Sequence, residues 1–420
     1  MLRGLGMAGL ALALAVGVTS EGFAQSRSKA KKAKAQAKVE EKLPVLPNLP
    51  DPKGVFSESA SIVDYRTGRV IWSKNGTKSM YPASTTKIMT GMLLVDSCQP
   101  DELITAPQDV QKVGEASLHL LPGEQLSARN MMWGIMLRSA NDGCYAVACH
   151  ISGTQEAFAE LMNKRAKEIG CVNTHFRNPN GLPDNQHWTC SNDLAIMARE
   201  ALKRPWFAET VRNWKHTIAR SMNTKDVVLM SKNRILREDP TADGVKTGYT
   251  KAAGCTYVGS ATRNGERFIT SIMKSPHWAA DHKKMMDWAF AAFEHKLIAK
   301  RGELVGKVTA GSTEVPVLAG RDLWVCVEKV NPAPYEVVIK ADPKPETKVG
   351  DIIGEGQVIQ GSFKQKFPVV ASPELVQAMA PKPVLAVAKS SATWMIAGGA
   401  ALLGVAGVVA IRRRRPHHFG

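Results

Sequence analysis

An apolar run with helical spacing follows the segment Pro82-Ala83-Ser84-Thr85-Thr86-Lys87. The run consists of Ile88, Met89, Met92 and Leu93. This spacing predicts a helix that begins near Ser84, with Lys87 one turn later on the same face. The Ser84 hydroxyl would then lie near free backbone N–H groups and within reach of an amine. The stretch therefore indicates a candidate nucleophile beside a candidate base.

The pattern Ser-x-x-Lys is weak by itself, because it occurs four times, at Ser26, Ser28, Ser84 and Ser271. The first two lie in a lysine-rich stretch. Ser271 lies on a predicted strand, where residues i and i+3 point to opposite faces. Only Ser84 remains, and on this pattern alone it can also be read as a helix cap, with Lys87 as a solvated charge. The motifs Gly-x-Ser-x-Gly and His-Glu-x-x-His are absent, which disfavours an ordinary hydrolase and a zinc peptidase.

Two further patterns follow in a fixed order. Ser139-Ala140-Asn141 falls between two helical stretches, and Lys246-Thr247-Gly248 falls on a predicted strand. Ser-x-Asn recurs at Ser221-Met222-Asn223, so by itself it indicates only an interhelical turn, whereas Lys-Thr-Gly occurs once. The ordered triple, on a helix start, an interhelical loop and a strand, is typical of serine penicillin-binding proteins and class A β-lactamases.

The segments around these patterns predict an α+β body. Five strand patterns stand at its two ends: 60–64, 69–72, 245–250, 256–262 and 267–273. The first two form a hairpin around Arg66-Thr67-Gly68, and Asn264-Gly265 joins the last two. Helical patterns fill the middle. We therefore expect one sheet whose strands come from distant parts of the chain.

The chain resembles the low-molecular-weight penicillin-binding proteins, which are serine-type D-alanyl-D-alanine carboxypeptidases, from about Ser59 to Phe293. Five motifs carry the resemblance: residues 82–90, Leu121-Pro122-Gly123-Glu124, Ser139-Ala140-Asn141-Asp142, Asn178-Pro179-Asn180-Gly181-Leu182 and residues 243–250. The resemblance implies a serine β-lactamase/transpeptidase-like body with an antiparallel five-stranded sheet and helices. It also implies a second, β-rich domain.

The resemblance implies the catalytic roles. Ser84 would attack the D-Ala-D-Ala carbonyl to give an acyl-enzyme, Lys87 would be its base, and Ser139 would relay the proton to the leaving D-alanine. The backbone N–H groups of Ser84 and Tyr249 would form the oxyanion hole. An uncharged fraction of Lys87 near neutral pH requires a pKa roughly 3 below the usual value of about 10.4. We expect burial and the positive charge of Lys246 to lower it.

The resemblance also implies how a peptide would bind. Asn141 would bind the substrate amide, and Lys246 and Thr247 would hold the terminal carboxylate. Gly248 would let the substrate backbone lie flat along the strand, and Tyr249 would complete the site. The expected ligands are a peptidoglycan stem peptide and β-lactam inhibitors.

Departures from the family pattern leave other functions open. Family members often carry an arginine after the last strand that helps to bind the carboxylate, and residues 275–282 offer none. His277 and His282 lie there and are expected on the surface. Endopeptidase action on peptidoglycan cross-links is therefore one alternative, and a catalytically idle wall-binding scaffold is another. A class A β-lactamase is disfavoured, because His175 stands where those enzymes carry the glutamate used in deacylation.

A second domain is predicted after the body. A helix with Met285, Met286 and Ala289 on its inner face is expected to end near Arg301-Gly302. Beyond it, short Val/Ile runs broken by Gly and Pro predict a small all-β domain. We place the peptidase body at 55–298 and the β domain at 299–371.

The two ends of the chain predict export and membrane attachment. Residues 1–24 have the pattern of a signal peptide, and 25–54 form a basic, Pro-rich linker. A tether at 372–391 leads to 392–411, which has the length of a transmembrane helix. The arginine-rich tail at 412–420 should stay cytoplasmic, with the body on the periplasmic side of the inner membrane. Since the segment is rich in Gly and Ala, an interfacial helix is the alternative.

Charge and composition exclude other classes. The net charge is +17, but residues 26–42 and 382–420 together carry 11 of these charges, so the folded body does not indicate a nucleic-acid partner. Neither the seven cysteines nor the ten histidines have metal-ligand spacing, and we expect no metal or cofactor. Export permits disulfides, but the sequence does not pair them.

Overall fold

The computed structural model describes residues 51–310 and 312–380, and its first part is built on an antiparallel sheet. The strands of this part are β1 (Ser59–Asp64), β2 (Val70–Lys74), β3 (Leu103–Thr105), β4 (Gln125–Ser127), β5 (Lys215–Thr217), β6 (Val228–Met230), β7 (Ala242–Thr250), β8 (Gly254–Arg263) and β9 (Glu266–Met273). Five of them form the sheet, in the order β2-β1-β9-β8-β7. The hairpin from the start of the body thus pairs with strands from its end, as predicted.

Helices cover both faces of this sheet. They are α1 (Lys87–Ser97), α2 (Ala128–Trp133), α3 (Asn141–Ser152), α4 (Gln155–Glu168), α5 (Ser191–Leu202), α6 (Pro205–Arg212), α7 (Ile235–Glu238) and α8 (Trp278–Ala292). Successive strand residues alternate between two cores. Ile62 and Tyr257 pack with α8, whereas Val63 and Val258 pack with the α1–α6 layer.

Helix α8 ends earlier than its apolar pattern predicts. We expected the end near Arg301-Gly302, and this was wrong, because the helix stops at Ala292. Residues Phe293–Ala299 form β10, which pairs antiparallel with β13 (Leu323–Glu328). Pairing with a strand far along the chain thus overrides the local helical pattern. The predicted boundary between 298 and 299 falls inside β10.

The second domain is rich in β-structure, as predicted. Its other strands are β11 (Leu304–Ala310), β12 (Thr313–Ala319), β14 (Glu336–Ala341), β15 (Ile352–Gln360) and β16 (Phe363–Ala371), in the sheet order β11-β12-β16-β15-β14. Val317, Val325, Phe367 and Val369 are fully or almost fully buried in its core. Alternating apolar side chains of these strands therefore build a separate core.

The predicted tether at 372–391 begins with a docked helix, α9 (Pro373–Met379). Leu375 is fully buried in the core of the β domain. The Ser372 hydroxyl accepts the Leu375 N–H at 3.0 Å and donates to the Pro316 carbonyl at 2.7 Å. The start of this segment is therefore part of the second domain.

The predictions for the two ends concern residues outside the described ranges. The signal peptide at 1–24, most of the linker at 25–54, the rest of the tether, the transmembrane helix at 392–411 and the tail at 412–420 all lie there. Among the described residues, no helix is long and apolar enough to cross a bilayer. The seven cysteines all fall within the described part and are free thiols.

Candidate active site

The three sequence patterns line one cleft, although they lie far apart in the chain. The cleft has a volume of about 360 Å³ and is lined by Ser84, Ser139, Asn141, Thr247, Gly248 and Tyr249. Lys87 and Lys246 adjoin it with exposed fractions of 0% and 2%. The structure thus brings together all eight residues that the sequence predicts for the site.

Ser84 and Lys87 are neighbours because a 3-10 turn leads directly into α1. The turn covers Ala83–Thr86, and α1 begins at Lys87. A three-residue spacing on continuous helical backbone puts the two side chains on one face. Lys87 Nζ lies 3.1 Å from Ser84 Oγ, which is hydrogen-bond distance for a base and its nucleophile.

Two oxygens on other segments hold the Lys87 amine. Lys87 Nζ donates to Asn141 Oδ1 at 2.7 Å and to the Asn180 carbonyl at 2.6 Å. An uncharged amine has two N–H groups and one lone pair. With both N–H groups taken by these acceptors, the lone pair faces Ser84 Oγ. The arrangement is therefore suited to removing the Ser84 proton.

Burial, and to a smaller extent the positive charge of Lys232, lowers the pKa of Lys87 to about 8, against the opposing effects of Cys144 and Asp142. About a tenth of Lys87 is then uncharged at pH 7. The sequence prediction named Lys246 as the second cation. The pKa of Lys246 is itself well below 10.5, first because of burial and then because of the charge of Lys87. Lys232 is thus a further cation that acts on Lys87 and that the sequence prediction did not name, beside Lys246, whose charge and that of Lys87 repel each other.

Ser139 reaches the cleft through an unusual backbone conformation. A π-helical turn at Gly134–Arg138 ends at Ser139, which has a left-handed φ of 67°. The chain then enters α3 at Asn141. The Asn141 Nδ2 atom donates to the carbonyls of Gly114 and Glu115 at 3.0 and 2.8 Å. These bonds orient the Asn141 amide so that its oxygen meets Lys87.

The Ser139-Ala140-Asn141-Asp142 motif also fixes the loop next to the cleft. The Asp142 carboxylate accepts hydrogen bonds from the N–H groups of Leu118 and Leu120 and from Ser117 Oγ. Because this carboxylate is buried, its bonds hold the loop firmly against the start of α3. Asp142 is a positioning residue that the sequence reasoning quoted without assigning a role.

Strand β7 lies against Ser84 because residue 248 is glycine. A Cβ atom on Gly248 would lie 2.3 Å from Thr256 Oγ1 and 2.9 Å from the Ser84 nitrogen. Thr256 Oγ1 donates to the Pro82 carbonyl at 2.9 Å, which ties β8 to the same turn. Lys246 Nζ donates to the Thr247 carbonyl at 2.8 Å, and Tyr249 is exposed.

We expect Gly181→Ala to slow the acylation of Ser84 by a fluorescent penicillin at least about tenfold and to cost about 3 kcal/mol of stability. Gly181 has a φ of 85°, and a Cβ atom there would lie 1.9 Å from the Ala83 carbonyl oxygen. The turn that carries Ser84 must therefore move. Stopped-flow labelling and thermal unfolding measure the two effects.

Gly170→Ala is the matched control for this variant. Gly170 has a φ of 88°, and no atom of the described residues would lie within 4 Å of a Cβ there. It therefore carries the same backbone strain without the contact. Equal losses in the two variants would contradict the role of the contact between Gly181 and Ala83.

The two histidines expected on the surface, His277 and His282, differ in their exposure to solvent. His277 is exposed, whereas His282 is buried, so the expectation for His282 was wrong. Its Nδ1 lies 2.7 Å from Thr270 Oγ1 and its ring packs on Tyr257, in the core beneath α8. Burial lowers the pKa of His282 to about 4. Its spacing to Met285, Met286 and Ala289 matches the inner helix face and would have indicated this position.

The cleft contains groups that no motif pointed to. Lys232, Glu115 and Trp278 line it, and the Asn180 carbonyl contacts Lys87. Lys232 is the middle residue of a further Ser-x-Asn sequence, Ser231-Lys232-Asn233, which is not part of the ordered triple, so its place in the cleft follows only from the folded chain. Asn180 belongs to one of the motifs that carry the family resemblance. Its contact with Lys87 uses the backbone carbonyl, and the residue type does not indicate what a backbone carbonyl contacts.

Two groups of possible metal ligands lie away from the cleft. They are Asp64, His295 and Cys326 in one place and Cys98, Glu102 and His150 in another. In each group the histidine is hydrogen-bonded to the carboxylate, at 2.5 Å for His295–Asp64 and 2.7 Å for His150–Glu102. The absence of a metal site remains a prediction from ligand spacing.

Comparison with known proteins agrees with this geometry. A family model described as D-alanyl-D-alanine carboxypeptidase matches residues 47–277. The D-alanyl-D-alanine carboxypeptidase DacF of Bacillus subtilis (strain 168) is 34% identical over 260 residues, which cover 60% of this chain and 67% of that protein. The crystal structure of the D-alanyl-D-alanine carboxypeptidase DacD from Francisella tularensis aligns with a TM-score of 0.58 and 26% identity, covering 78% of this chain and 95% of that chain.

Penicillin binding protein 5 from Haemophilus influenzae aligns with a TM-score of 0.65 over 77% of this chain and 99% of that chain. Its identity is 23%, so this likeness concerns the fold alone. The family match covers more than half of the chain, and the sheet, the second domain and the cleft agree with it. The chain belongs to the D-alanyl-D-alanine carboxypeptidase family, the serine peptidases among the low-molecular-weight penicillin-binding proteins.

Proposed function

We propose that the protein is a serine-type D-alanyl-D-alanine carboxypeptidase that removes the terminal D-Ala from peptidoglycan stem pentapeptides. One observation carries the proposal: Lys87 Nζ lies 3.1 Å from Ser84 Oγ and is held there by Asn141 and Asn180. A buried amine in contact with a hydroxyl, in a cleft open to a peptide, is suited to acyl transfer.

The first half of the reaction forms an ester. The Lys87 lone pair takes the Ser84 proton while Ser84 Oγ attacks the carbonyl carbon of the penultimate D-Ala. The oxyanion receives hydrogen bonds from the backbone N–H groups of Ser84 and Tyr249. As the C–N bond breaks, the proton passes from Lys87 through Ser139 to the nitrogen of the leaving D-alanine.

The second half returns the free enzyme. A water molecule attacks the ester and gives a proton to Lys87, and Ser84 Oγ leaves with that proton as a hydroxyl. The shortened peptide departs with a new carboxylate. The same steps explain inhibition by β-lactams, since the amine released by ring opening stays attached to the acyl group and cannot diffuse away.

The strand residues supply the binding surface in this proposal. The substrate lies along β7, against Gly248 and Thr247, with the Thr247 hydroxyl near its terminal carboxylate. Asn141 holds Lys87 in place and contacts the substrate amide. The absence of a side chain at Gly248 keeps this edge open next to Ser84.

The cellular setting of the proposal rests on the sequence patterns at the two ends. Export by residues 1–24 and anchoring by 392–411, with 412–420 in the cytoplasm, would place the body beside its substrate outside the inner membrane. The enzyme would then trim stem peptides during cell-wall biogenesis and contribute to cell shape.

The test compares two substrates on the purified full-length protein in detergent. One is a stem pentapeptide and the other is a cross-linked peptide dimer. We expect release of free D-alanine from the pentapeptide. Cleavage of the dimer alone would replace the proposal with an endopeptidase, and cleavage of neither would favour an idle scaffold.

A further inference from the structure

A carboxypeptidase must recognise the free carboxylate at the end of its substrate, and this inference rests on the proposed function. The carboxylate lies one residue beyond the scissile bond, so its partner must be a cation that the open cleft can reach. The segment 275–282, which follows the last strand of the sheet, supplies no arginine for this purpose. That cation must also be accessible and not already engaged with a carboxylate.

The two motif lysines do not meet this need. Lys87 is fully buried, and its amine is engaged with Ser84, Asn141 and Asn180. Lys246 is 2% exposed, and its amine donates to the Thr247 carbonyl. Burial lowers the pKa of both amines. A second positive charge beside a buried first one is unfavourable, which further limits their use as charged anchors.

Lys232 differs from both in position, because it lines the cleft and is exposed to solvent. Its pKa is lowered as well, by partial burial and then by the charge of Arg138, against the opposing charge of Glu115. It lies in the loop between β6 and α7. The loop is held on either side, by a hydrogen bond from Ser231 N to the Trp214 carbonyl and by buried Asn233, whose Oδ1 accepts the Ile235 N–H. The positive charge of Lys232 lowers the pKa of both Lys87 and Lys246, so it acts across the cleft.

No carboxylate of the described residues forms an ion pair with Lys232. The acidic group that lines the same cleft is Glu115, and its carboxylate is 3.0 Å from His119 Nε2. The neighbouring cation Arg138 donates to the Ser117 carbonyl. Lys232 is therefore an accessible cation of the cleft without an ion-pair partner, and the substrate that enters this cleft carries a carboxylate.

We propose that Lys232 binds the terminal carboxylate of the substrate and makes the enzyme prefer peptides with a free C-terminus. The Thr247 hydroxyl would then add a neutral hydrogen bond to the same carboxylate. In this assignment Lys246 is a buried residue beneath the cleft. Lys232 has the carboxylate-binding role that the family resemblance implies for Lys246.

The competing explanation is that Lys232 acts only through the pKa of Lys87. Loss of its charge would then raise the pKa of Lys87. The reaction of every substrate would become slower by the same factor, because all of them need the same base. Carboxylate binding makes a different prediction, since it affects only substrates that carry the carboxylate. The ratio of two rates, one for a peptide acid and one for its amide, separates the two roles.

The experiment measures kcat/KM of the full-length protein for an N-acylated peptide ending in D-Ala-D-Ala and for the same peptide with a C-terminal carboxamide. Wild type should prefer the acid. Lys232→Met should lower kcat/KM for the acid about 10- to 100-fold, which corresponds to the loss of a charged hydrogen bond. The same variant should change kcat/KM for the amide by less than about 3-fold. Assays at pH 9, above the pKa of Lys87, minimise the effect through the base.

Lys251→Met is the matched control, because Lys251 is an exposed lysine on the β7–β8 turn that does not line the cleft. It should keep the preference of wild type, and the melting temperatures of all variants verify the fold. Equal loss on both substrates, or no loss on the acid, would overturn the role of Lys232. If wild type releases no D-alanine from the acid, the proposed function itself fails, and the two failures are therefore distinct.

Discussion

Ser84→Ala is expected to abolish covalent labelling by a fluorescent penicillin and to reduce D-alanine release by on the order of 10⁶-fold, the scale seen when a serine hydrolase loses its nucleophile. Without the hydroxyl no acyl-enzyme forms, and Lys87 has nothing to deprotonate. Ser84 sits in a short 3-10 turn, and its hydroxyl contacts the Lys87 amine at 3.1 Å, a bond that the fold does not depend on. The variant should therefore keep its fold, as a thermal melt will verify.

The control for this variant is Ser271→Ala. Ser271 and Lys274 form the other Ser-x-x-Lys pair of the folded body. Ser271 Oγ is buried on β9 without a hydrogen-bond partner among the described residues, so its removal costs little. Labelling should persist in Ser271→Ala. Labelling that survives in Ser84→Ala would show that the nucleophile lies elsewhere.

Lys87→Met should slow acylation by about 10²- to 10⁴-fold, the usual contribution of a general base. Methionine keeps most of the buried volume of Lys87, so the packing around the start of α1 is preserved. The amine lost in this variant is the one that contacts Ser84 at 3.1 Å. The rate constant for acylation by benzylpenicillin, measured under pseudo-first-order conditions, tests this expectation.

Lys274→Met is its counterpart in the second Ser-x-x-Lys pair. Lys274 is exposed, and its amine pairs with Glu58 at 2.7 Å. Exposed ion pairs contribute little to stability, so this variant should acylate at the wild-type rate. If Lys87→Met is acylated as fast as Lys274→Met, Lys87 is not the base that activates Ser84.

The sequence predicted the catalytic body well because the deciding signals are local. The Asn264-Gly265 turn has both φ angles positive, 52° and 80°, as a tight hairpin requires. The helix start at residues 82–87 follows from apolar spacing and a three-residue offset. The grouping of Ser84, Ser139 and Lys246 in one cleft was predicted from their order on particular elements, and no single pattern would have indicated it.

The features that the sequence did not predict depend on distant partners. Helix α8 ends at Ala292 because β13, some 30 residues later, pairs with the segment that follows. Lys232 reaches the cleft from a loop outside the ordered motifs, and Asn180 acts through its backbone carbonyl. Such contacts arise only after the chain has folded, so residue types and spacing carry no sign of them.

The site has an energetic cost that the surrounding fold offsets. Lys87 and Lys246 are both buried, and burial disfavours the charged form of each. Hydrogen bonds from Lys87 to Asn141 and Asn180 satisfy its amine, and the buried Asp142 carboxylate holds the adjacent loop. The enzyme thus keeps an uncharged base near neutral pH at the expense of stability, as is common for functional sites.

The pH dependence of Ser84 acylation in wild-type protein tests whether uncharged Lys87 is the base. The groups that face Lys87 are Lys246, Lys232, Cys144 and Asp142, and together with burial they leave its pKa at about 8. Only the uncharged amine accepts a proton, so the acylation rate constant should rise about tenfold per pH unit from 6 to 7 and level off above 8. A rate that stays flat from pH 6 to 9, or that still climbs tenfold per unit at pH 10, would contradict an uncharged Lys87 as the base.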